Sequence, residues 1–143
     1  MKNEMRLIID AVSENEALAR VAVATFMARL HPTLEEMEDV KTAVSEAVTN
    51  SIIHGRPRDN KVYITCKSKK NILSVIVEDY GVGIENVEQA MEPLFTTKPE
   101  QERSGMGFAF MEAFMDELKV SSVPGQGTIV YMEKAIGFSR YEE

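Results

Sequence analysis

The spacing of apolar residues changes period several times along the chain, and each change predicts an element. Residues 6–12 are mostly aliphatic or β-branched and predict a strand. Ser13-Glu14-Asn15-Glu16 fits a capping box, with a serine oxygen for the free N–H groups and a glutamate reaching back. A helix is expected to about Leu30, with Leu18, Val21, Ala22, Thr25 and Phe26 on one face. His31-Pro32 should end it, because the residue before proline avoids the α region. Thr33-Leu34-Glu35-Glu36 is a second capping box, opening a helix to about His54 with Gly55 as its C′ glycine. Residues 56–60 then read as a turn.

Lys61 to Lys67 alternates, with Val62, Ile64 and Cys66 on one side and Tyr63 and Thr65 on the other. After a turn at 69–71, Ile72 to Asp79 reads as an apolar strand ending in acid. Regularity is lost from Tyr80 to Arg103, apart from a short helix around 86–91. A segment this long between firm elements is usually functional or mobile. A helix from about Met106 to Glu117, a strand from Lys119 to Val123, a turn at 124–127 and a strand from Thr128 to Glu133 complete the series. Hairpins imply antiparallel pairing. The expected fold is α+β: a two-layer α/β sandwich with a mixed, mostly antiparallel sheet and helices on one face. No internal repeat or low-complexity tract is visible.

Composition narrows the function. The chain has 143 residues, a length suited to one domain, and a net charge of −7. That sign argues against direct nucleic-acid binding and against an anionic membrane surface. Cys66 is the one cysteine, which excludes an internal disulfide and disfavours a cysteine zinc cage. The first six residues lead into no long apolar run, so neither a signal peptide nor a membrane helix is expected. The expected setting is the cytoplasm.

Four constellations carry candidate chemistry. Glu46 and Asn50 lie four apart, hence one turn apart on one helix face, with Val44, Val48 and Ile52 roughly opposite. The pair suits a divalent cation through the amide oxygen and a base through the carboxylate, although such pairs are more often solvated helix face. Asp79-Tyr80-Gly81-Val82-Gly83-Ile84 follows a strand. Its glycines allow close backbone approach, and Asp79 can accept from an exocyclic amine such as that of adenine; an acidic turn is the plainer alternative. Ser104-Gly105-Met106-Gly107-Phe108 opens a helix and offers N–H groups to an anion, but follows neither the P-loop nor the Rossmann pattern. Thr96, Thr97 and Lys98 offer hydroxyls and a cation to phosphates, or form an exposed loop.

In order, Glu46…Asn50, Asp79-x-Gly81-x-Gly83, Thr96/Thr97, Gly105-x-Gly107 and Thr128 resemble the Bergerat-type ATP-binding fold of gyrase, histidine kinases and MutL. The stretches SEAVTNSIIHG, VEDYGVGI, EPLFTTKPEQERSGMGF and MEAFMDELKV resemble more narrowly the anti-sigma F factors of endospore-forming bacteria. The resemblance runs from residue 1 to about 134, taken as a single ATP-binding kinase domain, with 135–143 a tail expected to be poorly ordered.

That resemblance implies a serine protein kinase and anti-sigma factor of the sporulation programme, using ATP/ADP and Mg²⁺. Asn50 would hold the metal and Glu46 would be the general base. Asp79 would read the adenine amine, with Gly81, Gly83 and Ile84 beside it and Thr128 in support. Thr96, Thr97, Lys98, Ser104, Gly105, Met106, Gly107 and Phe108 would form the lid and phosphate cradle. From position, Arg103 is expected to neutralise charge on the transferred group. The implied partners are a second copy of the chain, sigma factor F and an anti-anti-sigma phosphoacceptor, with Glu16 and Arg20 on the shared surface. Arg56-Pro57-Arg58 departs from the family's longer polar loop. A stress-response switch kinase and a non-catalytic nucleotide sensor are the alternatives. A sensor histidine kinase is disfavoured: His31 and His54 are the only histidines, and there is no room for a phosphoacceptor domain.

Overall fold

The computed structural model describes residues 2–92 and 107–137. The alternation at residues 61–79 becomes a hairpin of β2 (Lys61–Lys69) and β3 (Ile72–Asp79). Val62, Ile64 and Cys66 point inward and are buried, as the period-2 pattern requires. Strand β1 (Lys2–Asp10) pairs with β2. The last two strands, β4 (Glu117–Val123) and β5 (Gly127–Ala135), form a second hairpin. The sheet order is β1-β2-β3-β5-β4, so β5 is inserted between β3 and β4. Every pairing among the described residues is antiparallel, which replaces the expected mixed sheet. The parallel relation of β3 to β4 exists only across the intervening β5.

Helices α1 (Asn15–Met27), α2 (Leu34–Asn50) and α4 (Gly107–Phe114) supply the second layer; α3 (Val87–Ala90) is one turn. The core between the layers joins Val40, Val44 and Val48 of α2 to Val62, Ile64, Leu73, Val75, Val77, Val130 and Met132 of the sheet. Each such side chain contributes about 1.5–3 kcal/mol by leaving water.

Three local expectations are corrected. The face of α1 that packs inward is Ala19, Val23, Phe26 and Met27, while Leu18 and Val21 are exposed. Small Ala19 admits close packing, a property invisible to a search for large apolar residues. Ser13 makes no cap: Glu14 stands at the N-cap of α1 with helical backbone and no side-chain capping bond, and Ser13 accepts through its carbonyl from Glu16 N–H. The second box is realised, Thr33 Oγ1 accepting from Glu36 N–H at 3.1 Å and Glu36 Oε1 from Thr33 N–H at 2.8 Å. Helix α2 does not reach His54 in α form. It widens into a π-helical turn over Ser51–Gly55, and the left-handed residue is Arg56 (φ 45°), not Gly55.

The expected tail boundary also shifts. Ala135 ends β5, Ile136 is fully buried, and Gly137 N–H donates to Glu36 Oε1 at 2.9 Å. The segment 135–137 is therefore packed, because Glu36 and the core both hold it.

Candidate functional site

The site lies at the end of the sheet where β3 stops. Along β3 the inward residues Leu73, Val75 and Val77 are apolar, and the next inward residue is Asp79. Asp79 is only 3% exposed, so its carboxyl sits in the floor of the inter-layer space rather than in bulk water. Burial raises its pKa above the ordinary aspartate value, and hydrogen bonds from the Ser51 hydroxyl and Gly81 N–H offset part of that shift. The Gly81 bond to Oδ1 is 3.0 Å.

Backbone crowds in around this carboxyl. Val82 N–H donates to Gly55 O at 2.8 Å, tying the Asp79–Ile84 loop to the end of the π turn. A Cβ on Gly81 would lie 1.9 Å from Gly55 O. Gly83 adopts φ +76°, and a Cβ there would lie 2.4 Å from Val123 O. Only glycine combines that backbone with that approach. Gly125 N–H donates to Val82 O at 2.7 Å, and Arg58 hydrogen-bonds the Gly125 carbonyl through Nη1. The altered 56–58 loop thus buttresses the hairpin turn beside the site.

Thr128 stands directly opposite Asp79 in the β3–β5 register, and Ser122 directly opposite Thr128 in the β4–β5 register. Three polar side chains therefore form one row across three strands, where the row behind is Val77, Val130 and Val120. Ile84 N–H reaches this row through Ser122 Oγ at 2.7 Å.

Helix α2 flanks the row. Ser51, bonded to Asp79, follows Asn50 directly, so α2 carries Asn50 to within one residue of the Asp79 hydrogen-bond network. Glu46 and Asn50 are both half-buried, while Val44 and Val48 behind them are fully buried. A half-buried carboxylate and amide one turn apart are accessible without being dispersed in solvent. Gly107, the first residue of α4, is buried, and Phe108 packs against the core.

Asp79, Gly81, Gly83, Ile84 and Thr128 are thus brought together, and Asn50 adjoins them along α2. Thr96, Thr97, Lys98, Arg103, Ser104, Gly105 and Met106 lie outside the described residues. Glu16 and Arg20 lie apart on α1, paired at 2.9 Å between Glu16 Oε2 and Arg20 Nε. Ser51, Gly55 and Ser122 were not anticipated. Ser51 was legible as the polar neighbour of Asn50; Ser122 was not, since its role depends on strand register.

The polar set fits an adenine base: a buried carboxylate and a hydroxyl stand side by side at the end of the sheet. Among the described residues, no group of three or more His, Cys, Asp or Glu side chains is placed to hold a metal. An Asn50 amide oxygen suits the sparse protein ligation of Mg²⁺, which takes most of its ligands from water and phosphates. Among the described residues no helix is long and apolar enough to cross a membrane.

Comparison with known proteins identifies the family. Residues 9–134 match the model of the histidine kinase-like ATPase domain, a nucleotide-binding module of the ATP/ADP class. The chain is 54% identical to the anti-sigma F factor of Oceanobacillus iheyensis, covering 98% of this chain and 97% of that one. It is 56% identical to that of Clostridium perfringens, covering 94% and 97%, and 49% identical to that of Bacillus subtilis, covering 98% and 97%. A crystal structure of the RsbU and RsbW domains of a Mycobacterium tuberculosis protein superimposes with TM-score 0.69 at 17% identity, covering 94% of this chain and 32% of that one. That last likeness concerns the fold alone. The chain belongs to the anti-sigma F factors, within the histidine kinase-like ATPase domain family.

Proposed function

We infer that this protein is an ATP-dependent serine protein kinase and anti-sigma factor, working in the cytoplasm as a homodimer. In this reading it binds and inhibits sporulation sigma factor F and phosphorylates an anti-anti-sigma protein on serine. Residues 1–134 act as a single kinase domain.

The observation that carries the reading is the buried Asp79 carboxyl in a polar row at the end of an apolar sheet, joined through Ser51 to the helix bearing Glu46 and Asn50. A buried carboxylate acceptor discriminates an exocyclic amine from a carbonyl oxygen. Gly81, Gly83 and Ile84 would line the base, with Thr128 completing its polar edge. Asn50 would hold Mg²⁺, whose chemistry when bound is to neutralise phosphate charge. Glu46 would take the proton from the acceptor serine hydroxyl. Thr96, Thr97, Lys98 and the Ser104–Phe108 segment would cover and cradle the phosphates, and Arg103 would offset charge on the transferred group. Phosphoryl transfer depends mainly on such positioning and charge neutralisation.

Glu16 and Arg20 would present a charged pair to protein partners. The net charge of −7 supports transcriptional control through a bound factor rather than through DNA contact.

The test is transfer of labelled phosphate from ATP to candidate acceptor proteins, with pull-down of sigma subunits in parallel. Labelled acceptor and captured sigma factor F are expected, with transfer lost in Glu46→Ala. Sigma capture with no acceptor labelling would leave a non-catalytic nucleotide sensor. Capture of a different sigma subunit would leave a stress-response switch kinase.

A further inference from the structure

The polar row contains a hydroxyl whose proton has only one place to go. Ser122 Oγ is within hydrogen-bond distance of three groups: Ile84 N–H at 2.7 Å, Gly127 O at 3.0 Å and Thr128 Oγ1 at 2.8 Å. A serine hydroxyl has one proton and two lone pairs. The Ile84 amide can only donate, so it occupies one lone pair. The Gly127 carbonyl can only accept, so it takes the single proton. The remaining lone pair faces Thr128, whose hydroxyl must therefore donate to Ser122. The Thr128 proton is then spent away from Asp79, and Thr128 Oγ1 keeps only lone pairs for anything seated between the two.

We propose that Ser122 is a specificity-determining positioning residue: it fixes the Thr128 hydroxyl as an acceptor, so the edge shared with Asp79 selects a purine with an amino group at position 6 over one with a carbonyl oxygen there. The proposal rests on the reading of Asp79 and Thr128 as the adenine site. Without Ser122, the Thr128 hydroxyl can rotate and offer its proton, and the edge then tolerates an oxygen acceptor. Ser122 touches no substrate itself. It acts through Thr128, and through Ile84 it ties the glycine loop to the same orientation.

Selectivity follows from the cost of mispairing: a site that presents only acceptors leaves a carbonyl oxygen facing lone pairs, and discriminations of this type are large.

The experiment measures equilibrium affinities of the full chain for ATP, GTP and the triphosphate of unsubstituted purine riboside, in the parent, Ser122→Ala, Ser122→Thr, Thr128→Ala and Asp79→Asn. Ser122→Ala is expected to lower the ATP preference over GTP about tenfold, with affinities for ATP and for the unsubstituted purine nearly unchanged. Ser122→Thr, which keeps the hydroxyl and suits a strand, restores the preference. Equal weakening of all three nucleotides in Ser122→Ala, or no change in preference while Thr128→Ala abolishes it, overturns the proposal and leaves the adenine site standing. If neither Asp79→Asn nor Thr128→Ala alters the preference, the adenine placement itself falls, and the role of Ser122 with it.

Discussion

Gly55 and Asp79 are in enforced contact: a Cβ added to Gly55 would lie 2.9 Å from Asp79 Oδ2 and 3.0 Å from its Cγ and Oδ1. The π turn that ends α2 therefore presses bare backbone against the carboxyl. Gly55→Ala should displace the carboxyl, at an overpacking cost of about 1–3 kcal/mol. ATP affinity is expected to fall at least tenfold while the circular-dichroism spectrum is retained. Unchanged affinity in a titration would show that the contact does not set the carboxyl's position.

Asp79 should reduce the stability of the ligand-free protein at neutral pH. Its folded-state pKa lies above the ordinary 3.8 because burial disfavours the charged form. The folded chain then binds the proton more tightly than the unfolded chain. This group's contribution is fully present below pH 3.8 and is lost as pH rises through the elevated folded value. Asp79→Asn, which removes the titration, should melt no lower than the parent at pH 7 and lose its advantage as pH falls toward 4. It should also lose ATP binding. A melting-temperature series across pH checks the sign.

Glu46 and Asn50 should separate chemistry from binding. Glu46→Gln is expected to bind ATP normally and to lower phosphoryl transfer by a factor of about 10²–10⁴, the usual worth of a general base. Asn50→Ala should instead weaken ATP binding in the presence of Mg²⁺ and leave binding in its absence almost unchanged. Metal-independent effects in both assays would place the metal elsewhere.

The Glu36 clamp should govern stability far from the site. Glu36 bonds both Thr33 N–H and Gly137 N–H, joining the start of α2 to the segment after β5. Thr33→Ala should cost about 1 kcal/mol as an N-cap loss. Ile136→Ala should cost about 2–5 kcal/mol, because its side chain is fully buried. Urea unfolding measures both, and a value near zero for Ile136 would return residues 135–137 to the status of a tail.

Cys66 should be inert in the native state. It is buried in β2, and burial pushes its thiol up to about 12. The thiolate is the reactive form. A chromogenic disulfide reagent should label it only at the rate of unfolding, with full labelling in denaturant.

Much of this fold was legible because strands β2 and β3 alternate cleanly and Thr33-x-x-Glu36 carries its own capping logic. The inward face of α1 is hard to read because apolar Leu18 and Val21 point to solvent while small Ala19 shares the buried face with Val23 and Met27. The π turn was hidden because Gly55 is a good C′ residue on paper. In the fold its lack of a side chain is needed against Asp79, and Arg56 bears the left-handed backbone. For the site, Asp79 and its glycines stood out as a local motif. Ser122 did not, because a serine in a strand takes its meaning from the residues opposite it, and register is not written in one strand alone.

The position of β5 bears on how the protein is made. As the chain emerges from a ribosome, β3 appears early with Val75 and Val77 on its inner face, and β4 follows with no neighbour to hold it. Both wait for β5, which slides between them as the final strand and at once supplies Thr128 to the site. Until that insertion β3 has one open edge and β4 two, and Thr128 is not yet beside Asp79. The interval before β5 is inserted is therefore the one in which the chain most needs protection from self-association.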